Sequence, residues 1–521
     1  MTQGQWLTSS TTRRPPARLL AAWAAALIGF CTVAGAQTAI SGMSTNPDGG
    51  NPSDPLAVTA CNGAPQVGTL YRHSESEPHL AVNLALPGNM IAGWHQDRWS
   101  DGAAQSLGAA YTLNGGATWQ RVVIPFTRCA GGAPGSTGDY ERGSDPWISI
   151  GPDGTAHYMA LVTNRIVNEN AMTVARSTDG GASWSAPIVI ARNPAQDPKG
   201  RSLFHDKNTI TADPYDPRYV YATWTVFRHG VTSLVFARST DGGRSWSPEK
   251  PIATMGRVDK SQLSTFRQGA QIVVLPGGAL VNVFYRALFD PVTLARSTEQ
   301  VVLRSTDRGQ HWTRADTRIA PFVPATGVDP ERPIAVRDAG PLPSAAVNRT
   351  TGQLYVAWQG RSPEEPGQVG VFVARSDDGG LTWSAPVKVN QPQGSPFQAF
   401  LPTVAVNREG LVGVLFYNFR NDVLGDALLS TDVHLAVFNG SLDFIREHRL
   451  TSGSFDMRQL ALTVRGYFPG DYVGLAADGS DFVAAFTRGN NLGLEVALPA
   501  VRTLVVNSDN RQDIVFVRQA P

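Results

Sequence analysis

Seven arginines close seven short apolar or aromatic runs. They are Arg98 in GWHQDR, Arg165 in LVTNR, Arg228 in TWTVFR, Arg286 in VFYR, Arg361 in AWQGR, Arg420 in FYNFR and Arg488 in AFTR. Five acids, Glu77, Asp145, Asp206, Asp338 and Asp471, open runs of similar length. Guanidinium forks grip carboxylates bidentately, so a converging subset of the arginines would hold an anionic ligand. The competing expectation is that each arginine pairs with an acid of its own or a neighbouring run and only fixes register. Glu77, Asp145, Asp206 and Asp471 would together suit a structural calcium ion with oxygen ligands. His73, His79, His95, His205 and His229 show no zinc spacing, so no metal site is assigned and no other cofactor is expected.

These residues need a repeating scaffold. The phrase RSTDGGASW (176–184) returns as RSTDGGRSW (238–246), RSTDRGQHW (304–312) and RSDDGGLTW (375–383), with a looser TLNGGATW at 112–119. Its tryptophans Trp184, Trp246, Trp312 and Trp383 recur every 62 to 71 residues, and Trp119 lies 65 before the first. Such a period means a solenoid or a propeller. Within the second repeat, DPWISIGPDG, TAHYMALVTN, AMTVARSTDGG and ASWSAPIVIA read as four strands split by turns, which is one propeller blade. The expected fold is all-β: a propeller of four-stranded blades over 69–521. Seven units can be drawn, starting near Glu77, Asp145, Asp206, Gln268, Asp338, Phe400 and Asp471. The seventh shows three strands, and a strand within Thr69–His73 is expected to complete it.

The phrase S-x-D-x-G-x-x-W falls between the third and fourth strands. Ser177 and Asp179 can bond turn backbone, Gly181 supplies a positive φ, and Trp184 packs on its own blade. The same roles fall to Ser239, Asp241, Gly243 and Trp246, to Ser305, Asp307, Gly309 and Trp312, and to Ser376, Asp378, Gly380 and Trp383. A motif needed once per blade folds a turn. Since strand direction alternates, any site lies on the other face, where first strands start and second strands end. Trp94, Trp99, Trp224, Trp358 and Tyr417 sit beside those arginines and would suit sugar stacking. Alternation within their strands points instead to core for Trp94, Trp224 and Trp358.

The chain has 521 residues, 42% of them hydrophobic and only 17% charged, with a net charge of +1. Nothing in that balance favours nucleic acid. With 52 glycines and 36 prolines, it suits short strands and turns better than long helices. Residues 1–36 read as a signal peptide: Arg13, Arg14 and Arg18, then apolar Leu19–Val33, then Ala34-Gly35-Ala36. An exported chain, periplasmic or extracellular, would then begin at Gln37 with no membrane span; an uncleaved anchor is the alternative. Residues 37–68 read as an arm. Cys61 and Cys129 remain after cleavage and are expected to form a disulfide, with two buried thiols as the alternative.

The repeated phrase resembles the Asp-box, or BNR repeat, of sialidases and related propellers. The resemblance covers roughly residues 70–518 and is closest to secreted bacterial sialidase-like proteins, through EPHLAVN, GWHQDRW, SDPWIS and GYFPGDYVGLA. Sialidases have six blades, so six is the alternative count. The resemblance implies a glycoside hydrolase acting on an acidic, sialic-acid-type glycan. Tyr472 would be the nucleophile and Asp101 the acid/base, with Arg98, Arg361 and Arg420 on the substrate carboxylate. Glu77 and Asp471 would line the site, and Asp338 would stand where a supporting glutamate belongs. One departure matters: Glu77-Pro78-His79 replaces the R-I-P arginine that opens the first sialidase blade. That favours the alternative, a non-catalytic propeller binding glycans or protein partners through its arginine-rich face.

Overall fold

The computed structural model describes residues 36–42, 44, 61–65, 67–165, 169–193, 203–228, 231–254, 264–289, 293, 295–361, 369–390, 397–490, 504–507 and 511–521. The signal-peptide reading of residues 1–36 falls almost wholly outside them, as does His229. Among the described residues, no helix is long and apolar enough to cross a membrane.

The strands pair into four-stranded antiparallel sets, each a propeller blade. The first holds Ser76–Val82, Met90–Trp99, Ala104–Thr112 and Gln120–Val123. The second holds Arg142–Ile150, Ala156–Asn164, Glu169–Ser177 and Ile188–Asn193, the four strands read from the sequence. Four further sets begin with Leu203–Ala212, Ser264–Val274, Ser344–Val347 and Ala399–Val406. The last consists of Gly474–Asp478, Asp481–Gly489 and Gln512–Gln519, closed by Thr38–Ala39. The first strand of each set packs beside the first strand of the next, and Gly474–Asp478 returns to Ser76–Val82. These first strands line a cavity of about 600 Å³ around the axis.

The closing strand differs from the expected one. Thr38 and Ala39 pair with Phe516 and Val515, and the buried Ile40 bonds Ile514. Gly68–Tyr71 instead pairs with the end of Met90–Trp99 and runs parallel to Leu504–Asn507. The reason is apolar burial: Ile40 fills the seam between the first and last blades with Trp94 and Phe516. Cys61 and Cys129 are disulfide-bonded, tying the arm to the link between the first two blades.

Every copy of the repeated phrase folds one turn. Ser177 Oγ donates to Asp179 at 2.8 Å and accepts from Gly181 N–H at 2.9 Å, while Asp179 accepts from Ser183 N–H at 2.9 Å. The pattern recurs around Asp241, Asp307 and Asp378. Thr112 and Asn114 reproduce it in the looser copy, since a threonine hydroxyl and an amide oxygen supply the same donor and acceptor. The tryptophans are not confined to their own blades. Trp312 packs edge-on against Phe236 of the preceding blade, and Trp119 against Phe516 of the last. Gly309 and Gly116 have positive φ, and a Cβ on either would collide with that same phenylalanine. The turn therefore also clasps neighbouring blades.

Trp94, Trp99, Trp224, Trp358 and Tyr417 are all fully buried. Trp99 and Tyr417 thus join the other three as core. Each such side chain removes about 200 Å² from water, a gross gain on the order of 5 kcal/mol.

Candidate functional site

The first strands share a device that aims side chains at the axis. Register slips between Ser76 and His79, Ser144 and Trp147, Asp206 and Thr209, Gln268 and Gln271, and Phe400 and Thr403. The inserted residues Glu77, Asp145, Lys207, Gly269 and Leu401 all have φ between 52° and 75°. A bulge re-aims the residue it carries, and a bulky residue at positive φ stores strain of about 1 kcal/mol or more. Three equivalent bulges thus present two carboxylates and an ammonium to one another.

Lys207 Nζ lies 2.5 Å from Asp471 Oδ2, 3.3 Å from Asp145 and 3.8 Å from Asp206. Glu77, Asp145 and Asp471 each bring an oxygen within 4.8 Å of the others. Asp471 N–H donates to Glu77 Oε1 at 3.2 Å. That approach needs Gly470, whose φ is 140° and whose Cβ would strike Glu77 backbone. His95 Nε2 faces Glu77 Oε2 at 2.7 Å and accepts from Asp145 N–H at 3.3 Å.

Arg98 and Arg337 complete the group. Their guanidinium carbons lie 4.2 and 4.6 Å from the centroid of the Phe468 ring, and Arg337 Nη2 is 3.5 Å from Asp471. Arg98 is 1% exposed; its Nη1 donates to Ala103 O, but Nε and Nη2 have no hydrogen-bond partner among the described residues. Tyr472 stands beside Asp471, edge-on to Trp147, with Lys207 Nζ 5.4 Å from its ring centroid. Its hydroxyl is buried and equally unpartnered. Two unpaired donors and an unpaired hydroxyl thus belong to one buried polar group.

Electrostatics splits the carboxylates. Burial, reinforced by Asp471, pushes Glu77 up to about 7. Burial also pushes Asp206 up to about 7 against the opposing Lys207 ammonium, with Asp145 and Asp471 adding to the rise, and it raises Asp145. Asp471 is buried as well, yet Lys207 and Arg337 hold it well below the usual carboxylate range. Burial, then Asp145, raises the Tyr472 hydroxyl well above its ordinary value. Burial and the adjacent Arg337 lower Arg98 to about 9, while burial keeps His95 neutral. The calcium expectation fits poorly. The Lys207 ammonium already stands among the carboxylates and supplies the positive charge they require.

The other residues singled out in the sequence lie elsewhere. Arg420 pairs with Glu447 on the outermost strand of its own blade, which turns it from the axis. Arg286 likewise pairs with Glu299 and Asp316. Arg361 bridges to Val323 through its backbone, and its Nε has no hydrogen-bond partner among the described residues. Arg98 and Arg420 thus face different partners, the Phe468 ring and the Glu447 carboxylate. Both oxygens of Asp101 are taken, by Arg142 at 2.7 Å and Arg165 at 2.9 Å. Asp338 accepts from Thr326 and from the Gly327 and Gly340 amides, so it ties a loop together; burial raises it to about 6.

Lys207, Arg337, His95 and Phe468 were missed as members of the group. Lys207 had a signal. In the third repeat it occupies the bulge position of Glu77 and Asp145, one residue after the acid Asp206. Arg337 likewise adjoins Asp338. Phe468 lies in GYFPGDYVGLA, a stretch of the resemblance, but nothing in its spacing ties it to the charges.

No family model and no curated protein matches this chain. Among solved structures it is similar to the Hadza microbial sialidase Hz136, at 15% identity over 84% of this chain and 74% of that one, TM-score 0.43. It is also similar to the α-L-arabinofuranosidase Arb93A of Fusarium graminearum, at 15% identity over 73% and 98%, TM-score 0.45. A third is a PL25 ulvan lyase bound to -[GlcA(1-4)Rha3S]-, at 13% identity over 81% and 93%, TM-score 0.45. By its own strand pairing the chain is an all-β propeller built of four-stranded antiparallel sets.

Proposed function

We propose that the protein is an exported sialidase-like glycoside hydrolase acting on an acidic, sialic-acid-type glycan at the axial group. One observation carries this reading. Arg98 and Arg337 hold two like charges over a single ring, with Arg98 Nε and Nη2 unpaired, and the Tyr472 hydroxyl next to Asp471 in sequence is unpartnered too. A glycan carboxylate would relieve both the repulsion and the missing hydrogen bonds. Arg337 then supplies the second guanidinium that Arg361 and Arg420 do not.

Tyr472 is the nucleophile. A neutral hydroxyl meets an anomeric centre bearing a carboxylate without like-charge repulsion, and sialidases use a tyrosine for this. Its oxygen bonds the anomeric carbon while its proton passes to a neighbouring carboxylate. Asp101 is a weaker choice of acid, because both its oxygens are engaged by arginines. Export rests on residues 1–36 alone.

The test is release of 4-methylumbelliferone from its sialoside by the purified mature chain. Turnover that disappears in Tyr472→Phe, with KM raised about tenfold or more in Arg337→Gln, is expected. An inactive wild type sinks the hydrolase. A second reading has one observation in its favour: Lys207 is satisfied internally by the carboxylates of Asp145, Asp206 and Asp471, as in a plug that only fastens blades. Binding on a glycan array without turnover selects that non-catalytic propeller.

A further inference from the structure

The first strands end as regularly as they begin. Val82, Ile150, Ala212, Val274, Val347 and Val406 are each the last residue of a first strand, and all six line the axial cavity of about 600 Å³. Their end of the strands is opposite the bulges that carry Glu77, Asp145 and Lys207. His79 and Trp147, with ring centroids 4.2 Å apart, line the part of the cavity nearer those bulges. Polar side chains of the wall are engaged with the next blade. Ser149 Oγ accepts from Ala212 N–H at 2.9 Å, Thr211 Oγ1 donates to Ile272 O at 2.8 Å, and Gln271 Oε1 accepts from Ala345 N–H at 2.8 Å. The remaining interior is mostly apolar, and its volume falls in the range of small-molecule sites.

The charged residues that line this cavity are Arg349, Arg408 and Asp478. Asp478 is paired with Arg518 at 2.5 Å. Among the described residues, neither the Arg349 nor the Arg408 guanidinium has an ion-pair or hydrogen-bond partner. The two stand at equivalent positions of neighbouring blades, because AVNR at 346–349 recurs at 405–408, each time two residues past the end of a first strand. Their turns are in contact: a Cβ on Gly410 would lie 3.2 Å from Asn348 Nδ2. Burial lowers the Arg349 guanidinium, and yet its side chain keeps exposed surface. Both hold for a group that stands inside a cavity open to water.

We infer that this end of the axial cavity is a second binding site, for an amphipathic anion: an apolar chain within the ring of first-strand ends and a carboxylate or phosphate head on Arg349 and Arg408. Two guanidiniums without an acid match one anionic head, which their planar forks can grip by paired hydrogen bonds. The apolar chain leaves water for the ring of valine, isoleucine and alanine side chains. A bare anion lacks the second contribution and a neutral chain lacks the first, so only the combination binds well. The site is separate from the axial polar group and does not depend on the hydrolase reading.

The experiment is titration calorimetry of the purified mature chain with octanoate, octyl phosphate, 1-octanol and inorganic phosphate. Octanoate or octyl phosphate is expected to bind about tenfold or more tighter than both octanol and inorganic phosphate, and the better of the two heads identifies the chemistry of the natural one. Arg349→Gln combined with Arg408→Gln should bring the amphipathic anions to the level of octanol. Since neither guanidinium has a partner to lose, the double variant should melt near the wild-type temperature. No binding by wild type, equal binding of octanol or of inorganic phosphate, or a preference that survives the double substitution overturns the inference. Should the double variant not fold, salt serves in its place on the wild type. Raising NaCl from about 20 mM to about 500 mM should weaken octanoate several-fold relative to octanol, and an unchanged ratio overturns the inference.

Discussion

The Lys207 ammonium is 2.5 Å from the Asp471 carboxylate, joining the strand Leu203–Ala212 to the segment that leads into Gly474–Asp478. Both side chains are mostly withdrawn from water, so the pair behaves as a buried one. Breaking such a pair by removing one partner costs about 3–5 kcal/mol, because the other charge is left uncompensated. Lys207→Met should therefore lower the denaturation midpoint clearly. Adding Asp471→Asn should return part of the loss, and a double-mutant cycle that shows strict additivity would contradict the coupling.

Tyr472→Phe should separate activity from stability. The hydroxyl makes no hydrogen bond within the described structure, so deleting it removes a desolvated polar group and no partner. The variant is expected to melt at or slightly above the wild-type temperature while losing turnover. A marked fall in melting temperature would show that the hydroxyl is bonded after all.

Glu77 makes a pH signature. Its folded value, about 7, lies above that of the unfolded chain. The native state therefore binds more protons, and its stability falls as pH rises from about 4.5 through 7. Glu77→Gln removes this dependence. The stability of wild type relative to Glu77→Gln should decline across that window, as measured by urea unfolding at successive pH values. A flat difference, or one that grows with pH, is incompatible with a buried, proton-holding Glu77.

The repeated turns should be silent in catalysis. Asp241 accepts from Ser239 and from the Arg244 and Ser245 amides, on the face opposite the axial group. Asp241→Ala should cost on the order of 1–2 kcal/mol and leave KM and kcat unchanged. A specific loss of turnover in a folded Asp241→Ala protein would move the chemistry to the wrong end of the blades.

Much of the fold is legible in the sequence because its causes are local. Ser177, Asp179 and Gly181 bond within nine residues, so the phrase that encodes the turn repeats wherever the turn does. Trp94, Trp224 and Trp358 are core as expected, although Met90–Trp99 and Leu354–Gly360 are buried at every position rather than at alternate ones, since neighbouring sets cover both faces of these strands. Glu77, Asp145, Asp471 and Arg98 were likewise visible as charges at strand ends.

What tertiary structure alone decided is which of those charges meet. The bulges displace the axial position by one residue, so Lys207 joins the group at the equivalent of Glu77 and Asp145, and Asp206 stands beside it. Arg337 and Phe468 come from outside the repeat, brought in by long-range backbone bonds such as Arg337 N–H to Tyr467 O at 2.7 Å. The choice of Thr38–Ala39 as the closing strand depends on a seam formed by residues more than 400 positions apart. The sequence alone determined what each blade is, since a turn and a strand are short-range physics. How blades converge on an axis is a property of register and packing, and no single segment contains it.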